Sequence, residues 1–370
     1  MSAASEPVLF VVRDDEDGLR PDRLVRRRHP EVARDQALAW LKAGRMRLDD
    51  TNVRLASRVQ PGQHLALDVA IAQLGPAADL PAASTAALKV LFASNDLVAV
   101  DKPAGLAMHS GTRVDDDDTL KGMLARAFPS PVPEQEWDVR PRRGGNGKRR
   151  VRAFVGPSFL GRLDRPTSGV VLAARTREGL QQVEPSWSAG DVEKTYVVVV
   201  HGQAPAEGVI DIPLVSLRAR KKRKPADDDA RTEEAVTLLH RLAASPDGRL
   251  SVVLAFLRTG RTHQIRRHLK AIGHPLVGDP RYGHRRRDQQ LQEAFGVDVD
   301  KALQLHCMRL QFAPAVHDVT GLPRPLWAPW PARMQRVLGA AGLDVNALQQ
   351  QARNVHVDDV PETPLRSRRR

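Results

Sequence analysis

The chain has 370 residues, 41% of them hydrophobic and 27% charged; that is enough for roughly two to three domains with a sizeable core, and it excludes a wholly disordered protein. It carries 57 Lys and Arg against 44 Asp and Glu, a net charge of +13, and a field of that sign attracts polyanions. One cysteine, Cys307, excludes an intramolecular disulfide and any multi-cysteine metal site, and no apolar run reaches the ~18 residues that a membrane helix needs.

Residues 1–17 read as an N-terminal extension without the basic start and long apolar stretch of a signal peptide, so the expected location is the cytoplasm. Residues 18–70 read as a compact unit. Ala37, Trp40 and Leu41 fall at helical spacing, with Gly44 as the stop. Met46 and Leu48, then Leu65, Leu67 and Val69, alternate as on half-buried strands, with a turn at Pro61-Gly62 between them. Arg20, Arg23, Arg26, Arg27, Arg28, Arg34, Lys42, Arg45 and Arg47 crowd this unit. An excess of one sign on so small a surface favours tracking of phosphates over a merely solvated face.

Residues 71–88, rich in Ala and Pro, read as a linker. The main domain begins near Lys89, with short strands at 90–92 and 97–100 and a turn at Lys102-Pro103-Ala104-Gly105. Residues 130–152 form a polar insertion read as a long loop, with seven basic residues between Arg140 and Arg152, suited to ordering on RNA. Strands are expected at 169–174, 196–200, 235–239 and 250–257. The basic stretch Arg218 to Lys224 reads as an exposed hairpin tip. A helix is expected from His263 to Ile272, ended by Gly273, and residues 341–370 read as a polar, partly disordered basic tail.

Three segments carry chemistry. The first is Gly161-Arg162-Leu163-Asp164-Arg165-Pro166-Thr167-Ser168-Gly169. A carboxylate between two arginines is expected to stay ionised, which suits a structural ion pair first and a nucleophile second. The second is Lys194-Thr195-Tyr196; a strand tyrosine is ordinarily core, yet the chain has only 2, and such a ring can stack on a base. The third runs from Thr259 to His268 and on through Gly278-Asp279 to Tyr282-Gly283. A glycine turn leading into an Arg-bearing helix start suits phosphate. His263 and His268 are five apart and no Glu follows His263, so a metal-dependent hydrolase on His263, His268 and His274 is disfavoured.

Taken together, these segments resemble the RluA-like pseudouridine synthases over about residues 89–335, and residues 18–70 resemble an S4 RNA-binding domain. The resemblance implies an α+β catalytic domain over residues 89–340, with a large, mostly antiparallel mixed sheet, flanking helices and a cleft across one face. It implies Asp164 as nucleophile, Tyr196 as a stacking residue implicated in proton removal, and Arg266 as partner of the aspartate. Arg162, Arg261, His263 and Gln264 would bind substrate, joined by Arg20, Arg23, Arg34, Lys42 and Arg45 of the N-terminal unit. No cofactor and no metal are expected, and the chain is expected to act as a monomer. The expected substrate is RNA, ribosomal before transfer RNA; a non-catalytic ribosome-assembly factor and a DNA-binding protein are the competing readings. One departure stands out: the family usually has His where this chain has Gly161.

Overall fold

The computed structural model describes residues 7–29, 32–54, 57–69, 88–109, 119–128, 140–143, 149–152, 156–216, 232–299 and 302–366. The chain divides into two compact units, 1–86 and 87–370. The linker expected at 71–88 lies almost wholly outside the described residues.

In the first unit, β1 (Val8–Val11), β2 (Met46–Leu48), β3 (Thr51–Asn52) and β4 (His64–Leu67) form one sheet in the order β1-β4-β2-β3. Two helices, α1 (Pro21–Arg28) and α2 (Arg34–Lys42), accompany it. Leu24, Val25, Trp40, Leu41, Met46, Leu65 and Leu67 make its core. Gly44 takes φ 71°, the left-handed conformation that closes a helix, and its N–H donates to the Leu41 carbonyl. The expected extension at 1–17 is corrected from Val8 onward. Phe10 and Val12 are buried while Leu9 and Val11 face out, so the alternation that makes β1 a strand also ties it into this core.

The second unit is built on a 10-stranded sheet. Its main strands are β5 (Lys89–Ala93), β6 (Leu97–Lys102), β7 (Ser168–Ala174), β8 (Glu193–His201), β9 (Glu207–Asp211), β10 (Val236–Ala244), β11 (Leu250–Leu257) and β12 (Leu305–Gln311). They run in the order β9-β10-β11-β8-β12-β7-β6-β5, antiparallel except where β7 meets β12 in parallel. Every residue of β7 is buried, as its unbroken apolar run requires of a central strand. Successive residues serve opposite faces. Tyr196, Val198 and Val200 enter one core, and Val197 and Val199 enter the other.

The parallel junction depends on Gly169. Its φ is +119°, and a Cβ there would lie 2.1 Å from the Cys307 carbonyl oxygen. Beside it Ser168 Oγ meets His306 Nδ1 at 3.0 Å. This close approach fixes the start of β7, and with it the loop that ends at Thr167.

On one face lies α4 (Gln264–Ala271), after the longer α3 (Arg177–Ala189); on the other lie α6 (Ala332–Ala340) and α7 (Val345–Asn354), with α5 (Arg285–Phe295) contributing Leu291. The partly disordered tail expected at 341–370 is corrected as far as Arg366, the last described residue. Leu348 and Ala352, one helical turn apart, bury against the sheet, and the segment around Thr363 pairs with Val209 of β9. The fully buried Arg309 binds Glu193 and reaches the Val355 carbonyl at 2.7 Å. Deleting residues 345–366 is expected to lower stability by about 3–6 kcal/mol, from roughly 1.5–3 for Leu348 and as much for the charged hydrogen bond. Urea unfolding checks this; an unchanged midpoint would refute it.

Two further expectations need correction or qualification. Within the 130–152 insertion, Arg140–Arg143 pairs antiparallel with Arg149–Arg152, so these residues are not structureless; the rest of the insertion lies outside the described residues. Arg218 to Lys224 lies outside the described residues, but the strands Leu214–Val215 and Thr232–Glu233 that flank it pair antiparallel.

Candidate active site

Asp164 sits in the loop that enters β7, where its carbonyl accepts from the Thr167 N–H at 3.0 Å. Its Oδ2 accepts from Arg266 Nη1 at 2.9 Å, and its Oδ1 lies 3.6 Å from His263 Nε2. The flanking arginines are not its partners, which corrects the expected local pairing. Arg165 Nε donates instead to the Gly105 carbonyl, and Arg162 is exposed at the cleft. Neighbours in an extended segment point to opposite sides, so adjacency in sequence does not become adjacency in space.

Arg266 comes from the first turn of α4 and is nearly buried. Its Nε and Nη2 hold both oxygens of Asp279, at 2.7 and 2.8 Å, leaving Nη1 for Asp164. Burial opposes its charge, but the hydrogen bonds and fields of Asp279 and Asp164 outweigh burial and raise its pKa. Asp279 also accepts the Arg281 and Tyr282 backbone N–H groups; burial pushes its pKa up, while these donors and Arg266 bring it below the usual value. The guanidinium is thus fixed in place and charged, with one arm aimed into the cleft.

His263 caps α4 at φ 57°, a left-handed conformation that histidine tolerates better than most side chains. Its Nδ1 meets the Tyr282 hydroxyl at 3.0 Å, and the two rings stand edge to face. Burial lowers its pKa, against the pull of Asp164. Gln264 reads differently from expectation. Both its amide donors are engaged, by the Val236 carbonyl and Thr237, and its oxygen accepts from Thr259 and the Arg261 N–H. It braces the helix start and has no free group to offer a substrate. Arg261 Nε donates to the Glu234 carbonyl at the rim.

Tyr196 lies on β8 opposite Cys307 of β12 and is 8% exposed. Burial first, then Cys307, pushes its phenol well above the ordinary value; burial holds the Cys307 thiol up at about 12. Both groups stay protonated, so this tyrosine offers a ring and an O–H rather than a phenolate. The three histidines of the metal alternative do not converge. His268 is bound to Thr237 and the Ile212 carbonyl, and His274 to the His201 carbonyl.

Asp164, Arg266, His263, Gln264, Arg261, Arg162 and Tyr196 line a cleft of about 180 Å³, open to solvent, with Val170, Leu172, Leu257 and Leu310 as apolar walls. Three contributors were given no role from sequence. Nothing in the sequence assigns Asp279 a part, although a buried arginine demands a carboxylate. Trp187 carries no motif. Lys102 is fully buried, and its Nζ donates to the carbonyls of Pro103, Leu106 and Arg165, binding the 103–106 turn to the Asp164 loop. Burial, helped by Arg333, lowers its pKa to about 7.

In the N-terminal unit, Arg20 pairs with Asp22 at 2.5 Å, while Lys42 and Arg45 are exposed. Arg23 is half-buried on α1, and the Arg34 side chain lies outside the described residues.

A buried guanidinium bridging two carboxylates at an open cleft, with a buried tyrosine beside it, is the arrangement the mixed sheet presents. Comparison with known proteins assigns it to a family. The family model described as RNA pseudouridylate synthase matches residues 96–271. Ribosomal large subunit pseudouridine synthase D of Xanthomonas campestris pv. campestris is 30% identical over 341 residues, 89% of this chain and 91% of that protein. tRNA pseudouridine synthase C of Pasteurella multocida is 33% identical over 242 residues, 63% of this chain and 87% of that one. The solved structure of Human RNA Pseudouridylate Synthase Domain Containing 4 shares the fold, with a TM-score of 0.50 and 22% identity over 70% of this chain and 96% of that one. The chain belongs to the RluA-type RNA pseudouridylate synthases, and its activity is RNA pseudouridylation.

Proposed function

We propose that Asp164 is the nucleophile and that the chain converts uridines of large-subunit ribosomal RNA to pseudouridine. The observation that carries this reading is the chain Asp164–Arg266–Asp279, which sets one ionic carboxylate oxygen pair at the cleft wall beside Tyr196. The target nucleotide leaves its stack, at a cost of a few kcal/mol that is least in loops. Asp164 acts on it, the glycosidic C–N bond breaks, the uracil turns, and C5 bonds to the ribose. Tyr196 packs against the base. Its neutral phenol is a poor proton acceptor, so removal of the C5 proton falls to another group, with the Asp164 carboxylate the candidate anion. Arg162, Arg261 and His263 face the nucleotide from the rim. The isomerisation needs no electrons and no donor group, so the reading calls for no cofactor; the enzyme is proposed to act in the cytoplasm as a monomer.

Residues 18–70 are proposed as an S4-like RNA-binding domain, with residues 89–340 as the catalytic domain. Lys42 and Arg45 are among the exposed cations of residues 18–70, with Arg20, Arg23 and Arg34 on the same two helices or beside them. Ribosomal rather than transfer RNA is favoured by extent. The match to the ribosomal relative covers 89% of the chain, too much to leave out the 86-residue N-terminal unit, whereas the transfer RNA relative covers 63%. Tritium release from 5-tritiated large-subunit RNA fragments and from tRNA tests the choice; faster release from tRNA would reverse it.

If phosphate contacts carry binding, affinity falls steeply with salt. For about six contacts the loss between ~50 and ~200 mM salt is of the order of 10³. Filter binding across that range is the check, and a flat salt profile would contradict it.

A further inference from the structure

The cleft contains a cation whose partner is a ring rather than an oxygen. Arg266 is held by two carboxylates, and Arg261 by a carbonyl at the rim. Lys194 is different. It lies two residues before Tyr196 on β8, so both side chains leave the same face of the strand and line the same cleft. Its Nζ sits 4.5 Å from the centroid of the Trp187 ring. Among the described residues no carboxylate or carbonyl accepts a hydrogen bond from it. Burial lowers its pKa, as expected of an ammonium without an anion beside it.

Trp187 reaches this position because residue 161 has no side chain. A Cβ on Gly161 would stand 2.3 Å from Trp187 Cζ2. The departure from the family's histidine is therefore matched by an indole that fills the space and turns a face to Lys194. An ammonium on an aromatic face keeps its charge and leaves its N–H donors available.

We propose that Lys194, seated on Trp187, donates a hydrogen bond to a carbonyl oxygen of the target uracil and stabilises the negative charge gathered there as the base separates from the ribose. This rests on the reading that a uridine enters this cleft. When the N1–C1′ bond breaks, its electron pair passes to the uracil and spreads over O2 and O4. When C5 bonds to C1′, the C5 proton is lost and N1 gains one, so the product is an isomer. Lys194 keeps its own proton throughout. The apolar walls of the cleft strengthen such a donor where charge develops once the bound base has displaced water.

The test compares full-length K194M, K194R, W187A and K194M/W187A with the wild type. Single-turnover tritium release at saturating RNA gives the rate, and filter binding gives the affinity. K194M is expected to lose about 100-fold in rate, the loss ordinarily seen when a donor aimed at developing charge is removed. Its RNA affinity should be unchanged, and K194R should recover part of the rate. W187A is expected to lose about 10-fold, and the double variant should be no slower than K194M. K194M at the wild-type rate, an affinity that falls in step with the rate, or K194R as slow as K194M would each overturn the proposal. D164N run alongside keeps the two readings apart. Release by the wild type and none by D164N upholds the nucleophile whatever Lys194 does.

Discussion

Asp164→Asn is expected to abolish pseudouridine formation while leaving a folded protein that still binds RNA. The substitution keeps the size of the side chain and removes the charge of the proposed nucleophile. Arg266 retains both bonds to Asp279, at 2.7 and 2.8 Å, so the guanidinium stays in place and the neutral amide leaves no buried anion behind. Phosphate contacts from other residues keep the RNA bound. The rate should fall by at least about 10⁴, the scale seen when a member of a nucleophilic unit is removed. Single-turnover tritium release and filter binding together check it. A variant retaining a hundredth of the activity would remove Asp164 from the nucleophile's place.

Arg266→Ala is expected to damage stability and activity together, and a second substitution should separate them. The Asp279 side chain is 0% exposed and binds Arg266 through both oxygens. Removing the guanidinium strands that carboxylate, at a cost of about 3–5 kcal/mol. It also releases Asp164 from its 2.9 Å partner. Arg266→Met with Asp279→Asn removes both buried charges, so stability should return toward the wild type while activity does not. Arg266→Lys should fold better than the alanine variant but react poorly, because one ammonium cannot bridge two carboxylates in fork geometry. Urea midpoints and single-turnover rates measure the two effects. If the double variant regained activity with stability, Arg266 would be a scaffold alone.

Much of this was legible in the sequence for definite reasons. The short apolar runs within β7, β8 and β11 read as buried strands, and His263 to Gly273 carried helix periodicity and a stop. The Asp164 motif stood out by composition, and its link to Arg266 came from resemblance, because the two are 102 positions apart. What was not legible depends on three-dimensional closure. Asp279 completes Arg266 from 13 positions further along the chain, beyond the end of the helix. Trp187 enters the cleft because Gly161 makes room, a relation no spacing reveals. The helix at 345–354 was hidden because only Leu348 and Ala352 in its glutamine-rich stretch are buried. Gln264 stands beside the site, yet all four of its hydrogen-bonding positions are used within the fold. Residue type predicted the region; saturation of its donors and acceptors decided the role.

The most direct measurement is made on the purified wild-type chain with unmodified large-subunit RNA, no metal and no cofactor added. Tritium from C5-labelled uridine should appear in water, one per pseudouridine formed, and the mass of an unlabelled transcript treated in parallel should not change. No release, or a product of altered mass, would contradict a uridine isomerised by the carboxylate at position 164.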